Sequence, residues 1–292
     1  MKNIIVMSGD IGSGKSSVAT ELKQLTGFDI IGTGTIQRAI ASRRGLTTLE
    51  LNEISQTDRS VDDEIDAYVI ETGKSQDHLI MDSRLAWHFI PSAFKVFLAV
   101  DPVVGAERVF NASRHDENNE SLEITLKNNL KRQTIEAQRF NQLYNINFRK
   151  YSNYDLIIDT SYATPLDIAK KINDCFNAWL KQQDFSALWI TPRKLLPTLA
   201  TNAVNDDHQE LSVFIYNEFI YIIQGHSLVI KAHLTGADLI AANIITEEPN
   251  QLLTEGLSVA QAAHKVTLAM LKNWEDILGF KYTRYPESVS TT

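Results

Sequence analysis

The sequence predicts an α/β protein in which a domain with a five-stranded parallel sheet and flanking helices, residues 1–183, precedes a smaller α+β domain, residues 184–292. Five short apolar runs rich in β-branched residues predict the sheet, because uninterrupted apolar runs are typical of strands covered on both faces. Segments with helical spacing alternate with these runs, which is the order that a parallel sheet requires. The five runs are residues 3–8, 28–32, 78–82, 94–100 and 155–159.

The segments between the runs carry apolar residues at helical spacing. Gly27 ends the first of them. The Asp101-Pro102 pair begins another and Pro165 begins the last, since proline is favoured in the first turn of a helix. We predict helices over residues 14–25, 34–44, 48–56, 61–72, from Asp101 onward, 121–144 and 165–180.

The pattern changes after Gln183, which places the domain boundary there. Two prolines exclude a long helix from residues 188–199. Residues 212–223 predict two strands that meet in a hairpin at Asn217-Glu218. Further elements are predicted at residues 227–234 (a helical or apolar run), 239–245 (a strand) and 258–278 (one amphipathic helix).

Composition limits the class of protein and of partner. Hydrophobic residues make up 43% and charged residues 22%, the profile of a globular protein. The formal net charge is −8, and both predicted domains are acidic, which argues against nucleic acid as a partner. The single cysteine, Cys175, excludes an intramolecular disulfide and a cysteine-rich zinc site. No apolar stretch approaches the ~18–20 residues of a membrane helix, so we expect a cytoplasmic protein without a membrane partner.

The strongest motif reads Gly-Asp-Ile-Gly-Ser-Gly-Lys-Ser over residues 9–16, between a predicted strand and a predicted helix. Its glycines let backbone N–H groups point inward at phosphate oxygens, and the following helix presents its positive end to the same anion. We expect Lys15 to reach the β- and γ-phosphates of ATP and the Ser16 hydroxyl to bind Mg²⁺. The expected ATP-binding residues are Gly9, Asp10, Ile11, Gly12, Ser13, Gly14, Lys15, Ser16 and Ser17.

Asp82 is the predicted second side chain of the magnesium site. It ends the third predicted strand, and the carboxyl ends of parallel strands carry ligand sites in α/β folds. The alternative interpretation is that Asp82 caps the segment that follows it.

Arginines recur after the predicted strands and around the polar stretch 111–120. Transfer of a phosphoryl group between two anions requires positive charge that does not titrate, which arginine supplies. For each arginine taken alone, the alternative is a solvated surface charge. The set comprises Arg38, Arg84, Arg108, Arg114, Arg132 and Arg139.

Residues 1–180 resemble the cytidylate kinases of the short, archaeal type, within the nucleoside monophosphate kinase family. The matching pieces are GDIGSGKSSVATEL, IGTGTIQRAIASRRGL, MDSRLAWH, VDPVVGAERV, KRQTIEAQRFNQLYNIN and YDLIIDTS, in that order. The resemblance implies a nucleoside monophosphate acceptor and a lid that closes over both nucleotides.

Residue roles follow from the resemblance by position. It implies that Arg38 and Arg84 bind the acceptor phosphate and that Asp159 and Thr160 lie near a nucleotide base. It also implies a catalytic set that faces the transferred phosphoryl group. This set is Lys15, Arg84, Arg108, Arg114, Arg132 and Arg139.

Residues 188–248 resemble the ParB/sulfiredoxin-like fold, through the prolines of TPRKLLPT and the segment EFIYIIQGHSLVIKAHLTGADLIAANII. This resemblance implies an anion site at Gly225-His226. The alternative is that the backbone satisfies His226 at the start of a helix. Two further functions stay open: a kinase of another small molecule, or a nucleotide-sensing regulatory protein whose second domain binds a partner.

Overall fold

A computed structural model describes residues 2–47, 50–51, 54, 58–112, 121–205, 208–253 and 256–289. The chain forms two compact units that alternate along the sequence. The first unit comprises Met1–Leu98, Asn128–Asp155 and Thr164–Phe185. The second unit comprises Ala99–Lys127, Leu156–Ala163 and Ser186–Thr292.

The regular elements follow the predicted order. The strands are β1 Ile4–Gly9, β2 Asp29–Gly32, β3 Leu79–Asp82, β4 Phe94–Ala99, β5 Leu156–Asp159, β6 Leu188–Ile190, β7 Leu195–Leu196, β8 Ser212–Tyr216, β9 Phe219–Gln224 and β10 Ile240–Thr246. The helices are α1 Lys15–Thr26, α2 Thr33–Arg44, α3 Ser60–Ser75, α4 Ala86–Phe89, α5 Pro102–Asn111, α6 Leu122–Tyr144, α7 Pro165–Leu180, α8 His226–Leu234, α9 Val259–His264 and α10 Leu268–Leu278. Single 3₁₀ turns lie at Tyr151–Asn153, Pro192–Lys194, Thr201–Ala203 and Glu287–Val289.

The sheet of the first unit is parallel, with strand order β2-β3-β1-β4. All residues of β1 are buried, which explains why its sequence is an uninterrupted apolar run. Because β1 lies between β3 and β4, the loop that follows it emerges in the middle of the carboxyl edge of this sheet. In parallel α/β sheets this edge is where ligands bind.

Each of the five predicted strands forms within about two residues of its expected position, and the α/β fold is confirmed. The helix starts predicted for residues 1–180 are also confirmed where the structure describes them. The Asp101 carboxylate accepts the N–H of Val103 at 2.9 Å and caps α5, with Pro102 in its first turn. The boundary at residues 183 and 184 stays a prediction, and most of the helix predicted over 48–56 lies outside the described residues.

The second unit contains a mixed sheet with strand order β5-β6-β10-β8-β9-β7. Strand β6 runs parallel to β5 and antiparallel to β10. Strands β8 and β9 form the predicted hairpin, and its two turn residues, Asn217 and Glu218, have φ angles of 48° and 67°. Two successive positive φ angles match the twist of the flanking strands, which explains why the hairpin closes with only two residues.

The prediction of one helix over residues 258–278 is wrong. The segment forms α9 and α10, which are separated at Lys265–Thr267. Thr267 adopts an extended backbone (ψ 157°), and its hydroxyl accepts the N–H of Met270 at 3.2 Å. This side-chain cap begins a new helix, and apolar spacing does not reveal it because the spacing continues across the break.

Glu275 of α10 is a buried carboxylate in the second unit, only 1% exposed. Its oxygens accept hydrogen bonds from both α10 and the segment that follows it. The donors are Lys272 Nζ, Lys281 Nζ, the Tyr285 hydroxyl and the backbone N–H of Tyr282. Burial alone would raise the pKa of this carboxyl, but the four donors outweigh it and lower the pKa to about 2.

We expect Glu275→Gln to lower the free energy of unfolding at pH 7 by about 1–3 kcal/mol, because buried donors lose a charged acceptor. Since the folded pKa is depressed from 4.5 to about 2, the stabilisation is complete above pH 4.5 and disappears as the pH falls toward 2. Urea unfolding of both proteins between pH 7 and 3 measures this difference. Asp276→Asn, at an exposed neighbour, is the control. A difference that stays constant over this pH range would contradict the assignment.

Candidate functional site

The loop between β1 and α1 curls around its own backbone N–H groups. Gly12 and Gly14 have φ angles of 78° and 77°, in the left-handed region that favours glycine. The N–H of Ser13 donates to the carbonyl of Asp10 at 3.2 Å, and α1 begins directly at Lys15. The loop therefore brings backbone donors to the positive end of a helix, the arrangement that binds phosphate.

Gly9 lies where the loop leaves β1 and touches the end of β4. A Cβ atom at this position would lie 2.4 Å from the carbonyl oxygen of Leu98. The same carbonyl accepts the N–H of Asp10 at 3.0 Å. The start of the loop therefore rests directly on the backbone of β4, and only glycine leaves room for that contact.

Ser13 provides a test of whether the loop fits a phosphate group. The residue is 1% exposed, and its hydroxyl has no hydrogen-bond partner among the residues that the structure describes. A buried hydroxyl without a partner costs free energy unless a ligand oxygen pairs with it. Its position inside the loop therefore fits a bound phosphate.

Lys15 begins α1 and lies among charged side chains. Burial lowers the pKa of its ammonium group to about 8, and the positive charge of Arg84 acts in the same direction. The carboxylates of Asp82, Asp10 and Glu136 oppose this shift without reversing it. The charged form of Lys15 is therefore less stable than that of a solvated lysine, and a bound phosphate would stabilise it.

The two predicted magnesium ligands lie together. Ser16 follows Lys15 at the start of α1, and Asp82 lies at the end of β3. Burial raises the pKa of Asp82, although Lys15, Arg84 and Ser16 favour its ionised form. A hydroxyl and one carboxylate are the protein ligands that Mg²⁺ uses when phosphates and water complete its shell. The described ranges hold no cluster of three or more His, Cys, Asp or Glu that would form a metal site by itself.

Arg84 lies beside the phosphate-binding loop. Its Nη1 donates to the carbonyl of Gly9 at 3.2 Å and lies 3.0 Å from a carboxylate oxygen of Glu136. The side chain is 21% exposed, so its charge acts in partly desolvated surroundings. This arginine, predicted to bind an acceptor phosphate, therefore contacts Gly9, the first residue of the predicted triphosphate site.

Glu136 bridges two of the predicted arginines. Its second carboxylate oxygen lies 3.1 Å from Nε of Arg132, one turn earlier on α6. Sequence reasoning missed Glu136 as a site residue. The available signal was its spacing, four residues after Arg132 and three before Arg139, which places all three side chains on neighbouring positions of one helix.

Arg139 has a different partner from Arg132, although both lie on α6. It forms an ion pair with Asp62 of α3. The hydroxyl of Tyr144 donates to Asp66 at 2.7 Å, one turn further along each helix. The two arginines of α6 therefore pair with different carboxylates, Arg132 with Glu136 and Arg139 with Asp62 of α3.

Arg149 is a second residue that sequence reasoning missed. Its guanidinium lies 3.1 Å from the carboxylate of Asp10, whose side chain is 9% exposed inside the phosphate-binding loop. A buried carboxylate next to a phosphate is unfavourable unless a cation neutralises it. The available signal was therefore the acidic residue at position 10, which requires a basic partner from elsewhere in the chain.

Arg38 and Arg108 have other hydrogen-bond partners. Arg38 is exposed on α2 and donates to the Thr35 hydroxyl at 3.2 Å. In the second unit, Arg108 donates to the carbonyls of Thr160 at 2.6 Å and Ser161 at 3.1 Å, after the end of β5. Arg114 lies outside the described residues.

Asp159 of the second unit forms an ion pair with Lys194, from the carboxyl-terminal part of the chain. The Nζ atom of Lys194 lies 2.7 Å from its carboxylate, with the two side chains 18% and 2% exposed. The other oxygen of Asp159 accepts the N–H of Ser161 at 2.8 Å. Sequence reasoning missed Lys194, because this buried pair joins residues 35 positions apart.

His226 lies in the core of the second unit. Its side chain is fully buried, its Nε2 accepts the N–H of Thr198 at 3.2 Å, and its ring meets the edge of Trp274. This environment favours the alternative in which the backbone satisfies the histidine. The ParB/sulfiredoxin-like resemblance of residues 188–248 stays a prediction.

Among the described residues, no helix has both the length and the apolar character needed to cross a membrane.

Comparison with known proteins gives matches over the amino-terminal part of the chain. The family described as AAA domain matches residues 5–135. The cytidylate kinase of Natronomonas pharaonis is 34% identical over 183 residues, 62% of this chain and 93% of that protein. The S-adenosylmethionine-dependent nucleotide dehydratase of Lacinutrix mariniflava is 34% identical over 173 residues, 59% of this chain and 35% of that protein. The shikimate kinase structure from Bacteroides thetaiotaomicron aligns with a TM-score of 0.41 at 14% identity, covering 62% of this chain and 98% of that one.

The lowered pKa of Lys15 predicts how ATP binding depends on pH. Because the ammonium group loses its proton as the pH rises through about 8, we expect the dissociation constant for ATP to increase about tenfold between pH 7 and pH 9. Lys15→Arg keeps the charge and should remove most of this dependence. Isothermal titration over this range measures the effect, with Lys23→Arg on the exposed side of α1 as the control. Wild-type binding that does not change with pH would contradict the assignment.

Proposed function

Because this chain belongs to the cytidylate kinase family, we propose that it transfers the γ-phosphoryl group of ATP to a nucleoside monophosphate. Proteins of that name from Natronomonas pharaonis and Methanococcoides burtonii are 34% and 30% identical to it, and the chain covers 93% and 87% of their lengths. Their name makes CMP the first acceptor to test.

The observation that carries the proposal is the position of Arg84. The loop, Ser13 and Lys15 already provide donors and charge for a triphosphate. Arg84 adds a second, fixed positive charge 3.2 Å from the Gly9 carbonyl, and Arg132 follows through Glu136. This additional charge suits a second phosphate, and an uncharged acceptor would not need it.

We infer that the Glu136 carboxylate holds the position that the acceptor phosphate takes when substrate binds. One of its oxygens lies 3.0 Å from Arg84 and the other 3.1 Å from Arg132, the arrangement in which two arginines grip one anion. An incoming phosphate carries more negative charge than a carboxylate and would compete for the same guanidinium groups. Exchange of partners at Glu136 would then couple acceptor binding to movement of α6.

Ser16 and Asp82 are the side chains that would hold Mg²⁺, because they bring a hydroxyl and a carboxyl group to the start of α1 and the end of β3. When bound, this ion neutralises charge on the phosphoryl oxygens. A bound cation would oppose the effect of burial, which raises the pKa of Asp82. Lys15 would stabilise the phosphoryl oxygens through its positive charge.

The activity itself is tested by an ADP-release assay with ATP, Mg²⁺ and a panel of acceptors. We expect CMP and dCMP to raise ADP production most among the nucleoside monophosphates, and shikimate and free nucleosides to leave it at the background. Lys15→Ala should abolish the acceptor-dependent rate. If no monophosphate raises ADP production above that of Lys15→Ala, the proposal is wrong.

Arg84→Ala separates the acceptor role from ATP binding. Because Arg84 makes charged contacts that suit the second phosphate, we expect kcat/KM for CMP to fall about tenfold or more, while the dissociation constant for ATP changes less than about threefold. Loss of its positive charge should also raise the pKa of Lys15 and move the pH dependence of ATP binding upward. Steady-state kinetics and titration measure both effects.

Arg59→Ala is the matched control for this variant. Arg59 is exposed at the start of α3, and its Nε lies 3.5 Å from the carboxylate of Asp63. It should leave both constants unchanged. An equal loss of ATP and CMP affinity in Arg84→Ala would show that Arg84 serves the triphosphate instead.

A further inference from the structure

The second unit holds a cavity of about 490 Å³ at the tip of the β8–β9 hairpin. We name it the hairpin pocket. This volume falls within the roughly 300–1,000 Å³ of small-molecule sites. The residues that define its chemistry are Tyr216, Phe219, Tyr221, His264, Arg284 and Glu218.

Strand pairing holds the aromatic side chains of the hairpin pocket in place. Tyr216 and Phe219 are directly opposite each other next to the two-residue turn. Tyr221 is stacked on Phe214 with ring centroids 5.0 Å apart and 7° between the ring planes. Such cross-strand pairs fix ring positions before any ligand arrives. The pocket is therefore preformed by the sheet.

Several side chains that line the hairpin pocket are planar. The ring of His264 meets that of Tyr216 edge to face, with centroids 5.7 Å apart. The guanidinium of Arg284 lies 4.6 Å from the centroid of the Phe219 ring. Aromatic rings and a planar guanidinium are the groups on which a heteroaromatic base stacks.

Arg284 also supplies a charge that a ligand can use. Its Nη1 lies 3.7 Å from the carboxylate of Glu218, and the two side chains are 33% and 52% exposed. Its Nη2 donates to the Glu218 carbonyl at 3.3 Å. A long ion pair at this exposure contributes little, so an anionic group of a ligand can compete for Arg284. The carboxylate would then be available to accept an amine or a ribose hydroxyl.

Other ligand classes fit this pocket less well. The described residues contain no group of three or more metal-binding side chains. Residues 184–292 carry 7 Lys and Arg against 12 Asp and Glu, which disfavours a long nucleic acid. Among the described lining residues Arg284 is the cation and Glu218 and Glu287 are the carboxylates, so the pocket suits a ligand that carries a single phosphate rather than several. The rings beside Arg284 suit a small planar group on that ligand.

We propose that the hairpin pocket binds a nucleoside monophosphate, with its base against the aromatic side chains and its phosphate toward Arg284. The proposal goes beyond the kinase activity, because it uses no residue of the phosphate-binding loop or of its arginines. It gives the carboxyl-terminal part of the chain a binding role of its own.

The experiment is saturation-transfer NMR of the full chain with CMP, UMP, AMP and GMP and with the four corresponding nucleosides. In the Arg84→Ala background, which removes the proposed acceptor contact of the kinase site, Arg284→Gln should weaken monophosphate binding at least tenfold and change nucleoside binding little. Phe219→Leu should weaken both classes, because a stacking surface is lost. Lys265→Gln, at an exposed lysine beside His264 that does not line the pocket, should change neither.

Two further variants keep the result interpretable. Arg284→Lys keeps the charge and loses the planar guanidinium, so it should retain part of the monophosphate affinity if Arg284→Gln fails to fold. Arg84→Ala removes the proposed acceptor contact, and binding that survives in this variant but disappears when Arg284→Gln is added to it supports the hairpin pocket. Binding that disappears in Arg84→Ala and survives in both pocket variants would overturn it, as would the absence of any wild-type signal at millimolar ligand. Loss of kinase activity with pocket binding intact concerns only the proposed function.

Discussion

The backbone contact between Gly9 and Leu98 is the constraint on which the candidate site depends. A side chain at residue 9 would collide with the Leu98 carbonyl at 2.4 Å, and the same carbonyl receives the N–H of Asp10. The contact starts the loop at the middle of the parallel sheet and directs it back toward α1. The position of Lys15 at the start of α1 follows from this. The chemistry of the loop is therefore a consequence of how closely two strands approach at their carboxyl ends.

Charge compensation organises the rest of the first unit. Arg84 and Arg132 share Glu136, Arg139 takes Asp62, and Arg149 takes Asp10. Arg84 and Arg149 are each 21% exposed, so their carboxylate partners neutralise cations in partly desolvated surroundings. A phosphate that enters such a group replaces one anion with another, so the free-energy change for binding is the difference between two ion pairs. This favours an exchange of partners on α6 over a simple addition of charge.

Buried carboxylates of the second unit are also paired with cations and hydrogen-bond donors. Asp159 is bound by Lys194 and Glu275 by four donors, so its buried carboxylates already have partners. Arg284 is different because its pair with Glu218 is long and exposed. The hairpin register fixes the aromatic side chains around Arg284. The ion pair of Arg284, by contrast, can exchange the Glu218 carboxylate for a ligand anion. A ligand would therefore meet fixed rings and a movable charge.

The sequence by itself determined the strands, most helix starts and the phosphate-binding loop. These features depend on short-range patterns: apolar runs, proline in first turns, and glycines at residues 9, 12 and 14. It did not reveal the break at Thr267, because one hydroxyl begins a helix without changing the apolar spacing. Only the tertiary structure decided that Glu136 joins Arg84 to Arg132, that Arg149 neutralises Asp10 and that Lys194 reaches Asp159. Ion pairs between distant residues depend on which chain segments meet in space, and charge alone gives every acidic residue many possible partners.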